Sequence, residues 1–135
     1  MWVANYDDDT VSVVPPGSDQ AETIRVGDGP LGIATGFGGV WVVCYWAREL
    51  ARIDARTREV VARIPLREGP LDVSAGAGAV WVTNRDSRTV LRIDPRSNEV
   101  VATIRLPAPL SPWTVAACDG GVWVSIQRCP RQPCF

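Results

Sequence analysis

Val80-Trp81-Val82-Thr83-Asn84 is the stretch on which the reading of the whole chain turns. A bulky aromatic alternating with Val has the pattern of a strand with no polar face. The pattern recurs as Val40-Trp41-Val42 and Val122-Trp123-Val124, and Met1-Trp2-Val3 makes a fourth copy with Met in the Val position. The Trp residues are spaced 39, 40 and 42 positions apart. Working outward, Arg52-Ile53-Asp54 and Arg92-Ile93-Asp94 stand at matching distances after Trp41 and Trp81. Val60-Val61-Ala62-Arg63-Ile64 then matches Val100-Val101-Ala102-Thr103-Ile104, and Gly29-Pro30-Leu31 matches Gly69-Pro70-Leu71.

Each repeat divides into four short strands, a to d. Strand a covers 31–35, 71–75 and 113–117; strand b covers 40–44, 80–83 and 122–125. Strand c covers 49–54 and 89–94, and strand d covers 59–66 and 99–106. Gly36-Phe37-Gly38-Gly39 and Gly76-Ala77-Gly78 suit tight a–b turns, where glycine supplies positive φ. Asp54-Ala55-Arg56-Thr57 and Asp94-Pro95-Arg96-Ser97-Asn98 suit c–d turns that open on Asp. A four-stranded repeat of about 40 residues is the signature of a β-propeller blade. The expected fold is all-β: blades of four antiparallel strands forming an incomplete ring. The count is thirteen strands, b-c-d, then a-b-c-d twice, then a-b, whereas closed rings use about 4–8 blades. Because blades stack face to face, Trp41, Trp81, Trp123 and their Val neighbours are read as core.

Trp81-Val82-Thr83-Asn84 and Trp2-Val3-Ala4-Asn5, with the Ile-Asp and Val-Val-Ala echoes at 53–54, 93–94, 60–62 and 100–102, resemble the YVTN-type β-propeller repeat family. The resemblance spans residues 1–127, with repeats starting near 1, 40, 80 and 122, and leaves 128–135 as an irregular Cys/Pro tail. It departs at Val43-Cys44-Tyr45-Trp46 and at Leu106-Pro107-Ala108-Pro109-Leu110, and it implies fold far more strongly than function. Residue 1 falls inside a Val-Trp-Val, and a start codon that elsewhere encodes Val would place Met there, so the natural frame is expected to extend upstream. Family resemblance also implies that a further domain can follow such repeats.

Composition narrows the chemistry. The 135 residues include no His and no Lys; 14 Arg face 15 Asp and Glu, for a net charge of −1. Ser-His-Asp triads, His metal sites, Schiff bases and P-loop lysines are excluded from this segment. The near-neutral balance gives no reason to expect nucleic acid as partner, and no apolar run is long enough to span a membrane as a helix. Residues 1–9 lack the basic and apolar regions of a signal peptide. The compartment stays open, with an extracytoplasmic parent protein one option.

The b–c and d–a loops of a propeller share one face. Here that face collects residues 5–9, 45–49 and 84–88, with Asp28, Arg67, Glu68 and Trp113. Tyr45, Trp46, Arg48, Glu49, Arg67, Arg85, Asp86 and Trp113 are the binding candidates, because aromatics beside charges are what interface anchors look like. Trp46 reads equally as an exposed anchor or as a side chain folded back on the neighbouring loop. Asp7, Asp8 and Asp9 are weak cation candidates, since three successive carboxylates lack the spacing of a calcium loop. Cys44 and Cys118 read as buried thiols, and Cys129 and Cys134 as a disulfide pair if the chain reaches an oxidising compartment. No cofactor is expected. The leading function is a non-enzymatic binding or protein-interaction scaffold, a fragment of a larger propeller protein, with an unidentified protein or small molecule as partner. The alternative is part of a propeller enzyme resembling the streptogramin lyases, its catalytic residues elsewhere. A homodimer completing a six-bladed ring is a further expectation.

Overall fold

The computed structural model describes residues 1–131. Among them thirteen strands pair antiparallel into four sheets that follow chain order. The first sheet holds β1 (Trp2–Asn5), β2 (Thr10–Val13) and β3 (Glu22–Arg25), which are strands b, c and d. Two complete sheets follow: β4 (Pro30–Gly36), β5 (Gly39–Cys44), β6 (Glu49–Asp54) and β7 (Val60–Pro65), then β8 (Pro70–Gly76), β9 (Ala79–Asn84), β10 (Thr89–Asp94) and β11 (Glu99–Arg105). The last sheet is β12 (Leu110–Cys118) with β13 (Gly121–Arg128), strands a and b. Strand β8 packs against β4 on one side and β12 on the other, so the a strands form the inner rim and β7 and β11 the outer edge.

The reason Val and Trp alternate is visible at β5, which is buried along its whole length. Val40, Val42 and Cys44 join Val11, Val26, Ala51 and Ile53 in the core between the first and second sheets. Trp41 and Val43 point the other way, into the core shared with Val73, Val80 and Val82 of the third sheet. Full burial of each such side chain is worth roughly 1.5–3 kcal/mol, so a polar residue on either face would be costly. The a–b turns also reverse as their spacing demands, but with a twist of chemistry. Phe37 (φ 52°) and Ala77 (φ 49°) take the first left-handed position themselves, and glycine follows them.

The core is not uniform along the chain, which corrects the reading of all three Trp as buried. Trp41 is 0% exposed, Trp81 is only partly covered, and Trp123 is 69% exposed. Each Trp points toward the sheet that follows it. Trp41 meets a four-stranded sheet, Trp81 meets a two-stranded one, and no described sheet covers Trp123. Two further expectations are corrected. Cys118 is exposed, because it ends β12 beside the β12–β13 turn. The strand expected over 122–125 continues to Arg128, since residues 126–128 pair with 110–112 in a lengthened hairpin. Arg128, expected in the tail, is the last residue of β13, and Cys129 after it is buried.

Candidate functional site

Two of the three b–c loops rest on the glycine of the preceding d–a connection. Tyr45 N donates to Gly29 O at 2.9 Å, and Arg85 N donates to Gly69 O at 2.7 Å. Gly29 and Gly69 have φ of +69° and +73°, and a Cβ on either would come 2.6 Å from Trp46 Cδ1 or Asp86 N. Glycine is required here both for the left-handed backbone and for the space. Tyr45 and Arg85 are the first residues of the two seated loops, and Tyr6 opens the corresponding loop after β1.

The inner strands supply the other wall. A β-bulge recurs near the start of each, between Pro30 and Ile33, Pro70 and Asp72, and Pro112 and Val115. A bulge re-aims the side chain that it displaces. Leu31 and Leu71, which follow Pro30 and Pro70, line an open pocket of about 280 Å³ with Tyr6, Tyr45 and Arg85. Trp113 follows Pro112 in the same way, with the Arg85 guanidinium 5.5 Å from its ring centroid.

Arg85 is the electrostatic centre. Its Nε lies 3.2 Å from Asp86 Oδ1, and the two side chains are 11% and 14% exposed. Nη2 donates to Tyr45 Oη at 3.3 Å, and that hydroxyl reaches Asp86 Oδ2 at 3.5 Å. Asp86 balances the guanidinium charge, which permits its partial burial, and the network holds the phenol in place. Such a surface, apolar and aromatic with one braced cation, suits a flat apolar body bearing a hydrogen-bond acceptor.

Trp46 folds toward the neighbouring loop while staying open to solvent. It is 65% exposed, yet Nε1 donates to Tyr6 Oη at 2.6 Å and its ring stands edge-on to Tyr45 with centroids 4.8 Å apart. It thus ties the first two sheets together at the pocket rim. Three other candidates lie apart from the pocket. Arg48 pairs with Glu68 at 3.2 Å, both largely exposed, and Glu49 turns outward to Arg63 on β7 at 2.5 Å. Arg67 is exposed and lines a separate groove with Arg48, Leu66, Glu68 and Ser87.

Asp9 is engaged structurally: its Oδ1 accepts from Gly29 N at 3.0 Å. Asp7 and Asp8 lie exposed on a 3₁₀ turn, and no group of three or more His, Cys, Asp or Glu among the described residues is placed to hold a metal. Burial pushes the Cys44 thiol up to about 11, so it is protonated at neutral pH. Cys129 is disulfide-bonded, and Cys134, the partner expected for it, lies outside the described residues. Sequence reading missed Tyr6, Leu31 and Leu71. Tyr6 aligns with Tyr45 and Arg85 once the repeats are superposed, but Leu after Gly-Pro looks like core until the bulge is known.

No protein-family model and no curated protein matches the chain. Solved structures do. Virginiamycin B lyase from Staphylococcus aureus superposes with a TM-score of 0.79 at 16% identity, over 97% of this chain and 52% of that one. The WD40 β-propeller domain of Doa1 gives 0.73 at 18% identity, over 88% and 41%. The fold is that of a β-propeller. Hydrazine synthase from Kuenenia stuttgartiensis gives 0.77 at 15% identity, over 84% and 34%. The chain spans about half or less of the propeller proteins that it matches, and the likeness at these identities is one of fold.

Proposed function

We propose that this chain is a non-enzymatic propeller segment of the YVTN repeat type that acts as a binding scaffold, part of a larger propeller protein. Its ligand face is the b–c loop end, centred on Tyr6, Tyr45, Arg85 and Trp113. The observation that carries this reading is the pocket in which equivalent positions of successive repeats converge on one braced guanidinium. No His or Lys in the sequence offers a base beside it. A small molecule or peptide side chain with an aromatic or apolar body and a carboxylate is the fitting ligand class.

Thermal shift against carboxylate-bearing peptides, sugars and metal ions tests this, because a ligand of the native state raises stability by mass action. At a hundred times Kd the gain is about 2.7 kcal/mol. The carboxylate ligands are expected to raise the Tm of the wild type and not of Arg85→Ala or Trp113→Ala. A shift retained in both variants would remove the pocket from the function. A second reading is favoured by the superposition on virginiamycin B lyase over 97% of this chain. In that reading the chain is part of a propeller enzyme whose catalytic residues lie outside it. Cleavage of virginiamycin B by a longer protein that contains this segment, lost in its Arg85→Ala variant, would overturn the scaffold reading.

A further inference from the structure

Arg48, Leu66, Arg67, Glu68 and Ser87 line a groove of about 400 Å³ over the seam between the two complete four-stranded sheets. The seam between the first and second sheets carries Asp9, Val26, Gly27, Asp28 and Ala47 at the same repeat positions. Matching bonds fix that correspondence, since Val26 N donates to Asp9 O at 3.0 Å and Leu66 N to Arg48 O at 2.8 Å. The earlier seam is filled: a Cβ on Gly27 would press on Glu49 Oε1 and lie 3.0 Å from Ala47 Cβ. It is also acidic, whereas the later one sets two Arg against one Glu. Arg67 is exposed and has no hydrogen-bond or ion-pair partner among the described residues. Arg48 is paired with Glu68 at 3.2 Å, but those side chains are 58% and 67% exposed. A pair so open to solvent is weak, and a more highly charged anion can take the place of Glu68.

The floor beneath Arg67 is polar. Val80 and Val82 of β9 face the second sheet, and Asn84 continues that face opposite Thr89. In the second sheet the same position is Cys44, whose Cβ lies 3.1 Å from where a Gly27 Cβ would sit. Repeat equivalence therefore sets Arg67 over Asn84. Asn84 is fully buried, and neither Nδ2 nor Oδ1 has a hydrogen-bond partner among the described residues. A buried amide in that state costs stability unless something satisfies it. The first sheet satisfies its own copy: Asn5 Nδ2 donates to Thr10 Oγ1 at 3.1 Å and Ser12 Oγ at 2.8 Å. Leu91 stands where Ser12 does, so the third sheet withdraws that acceptor and leaves the amide to the groove. Thr89 Oγ1, 3.1 Å from Ser87 Oγ, joins the two.

We propose that this groove binds a phosphoryl group, as inorganic phosphate or as the phosphate of a monoester. Arg67 and Arg48 supply the charge, Arg48 giving up Glu68, and the fork of donors on each fits the tetrahedral oxygens. Ser87 turns its hydroxyl from Glu68 O onto the ligand, and Asn84 Nδ2 donates from the floor once Arg67 swings onto the anion. The site is distinct from the Arg85 pocket and does not rest on that pocket's ligand.

Titration at constant ionic strength with inorganic phosphate, glycerol phosphate and acetate, followed by proton–nitrogen correlation NMR, reads the outcome. Inorganic phosphate, glycerol phosphate or both are expected to shift the Arg67 and Ser87 amide signals and the Asn84 side-chain amide saturably. Which of them does so tells the free ion from the ester. Acetate is expected to shift none of these signals. Arg67→Ala and Arg48→Ala are each expected to raise the phosphate Kd about tenfold or more, and Glu68→Gln to lower it about threefold. These three side chains are exposed, so the variants are expected to keep the wild-type spectrum outside the groove. Phosphates that shift no groove signal overturn the proposal, as does acetate binding equally tightly, or a Kd that neither arginine substitution changes. Phosphate binding lost in Arg85→Ala but kept in Arg67→Ala would put the anion in the other pocket and overturn it too.

Discussion

Trp41, Trp81 and Trp123 hold one repeat position and three environments, so truncating them separates sequence pattern from packing. Trp41→Ala empties a filled core site and is expected to cost about 3–5 kcal/mol. Trp81→Ala removes a partly covered ring and its cation–π partner and is expected to cost less. Trp123→Ala is expected to change the stability of a monomer by less than about 0.5 kcal/mol. Chemical denaturation orders the three, and equal losses would remove the claim that coverage by the following sheet decides them. The strand pattern was legible in the Val-Trp-Val repeats because alternation is a local property. Coverage was not, because it depends on which sheet comes next. The thiols obey the same logic. Cys118 is exposed, while burial holds Cys44 protonated with a pKa of about 11. Iodoacetamide at neutral pH is therefore expected to label Cys118 in the native protein and Cys44 only after unfolding, as read by peptide mass mapping.

At the scale of elements, the turns were read by composition and the structure supplies their chemistry. Asp54 Oδ1 accepts from Arg56 N at 2.8 Å and Thr57 N at 3.0 Å, and these backbone bonds hold its carboxyl below the usual 3.8. Because the folded value is depressed, the turn's contribution is present above the ordinary carboxylate range and is lost as pH falls through the folded value. The stability gap between wild type and Asp54→Asn is expected to shrink as pH drops from about 5 to about 2. A gap that widens on acidification would contradict the assignment. The b–c loops depend on their glycine seats. Gly69→Ala would press a Cβ onto Asp86 and impose φ of +73° on an L-residue. It is expected to destabilise by about 1–3 kcal/mol and to weaken ligand binding at Arg85 together with stability. Of the pocket lining, Tyr45 and Arg85 were legible as a loop aromatic and a loop charge. Leu31 and Leu71 were not, because a bulge shifts register by one residue and no side-chain pattern announces it.

At the scale of the molecule, stability in a stacked repeat is close to a sum of sheet and interface terms, so it varies along the chain. The second sheet has a neighbour on both faces, and β5 is buried throughout. The last sheet has two strands, and most of β13 is exposed. Amide exchange reports this variation directly, because local opening ranges from almost free at frayed edges to the full unfolding free energy at the core. In a monomer, β5 and β9 amides are expected to exchange slowest and β13 amides fastest, with β11 also unprotected at its outer edge. Uniform protection across all thirteen strands at low concentration would mean that the sheets unfold as one unit. The additive description of the stack would then fail, even with every strand in its assigned place.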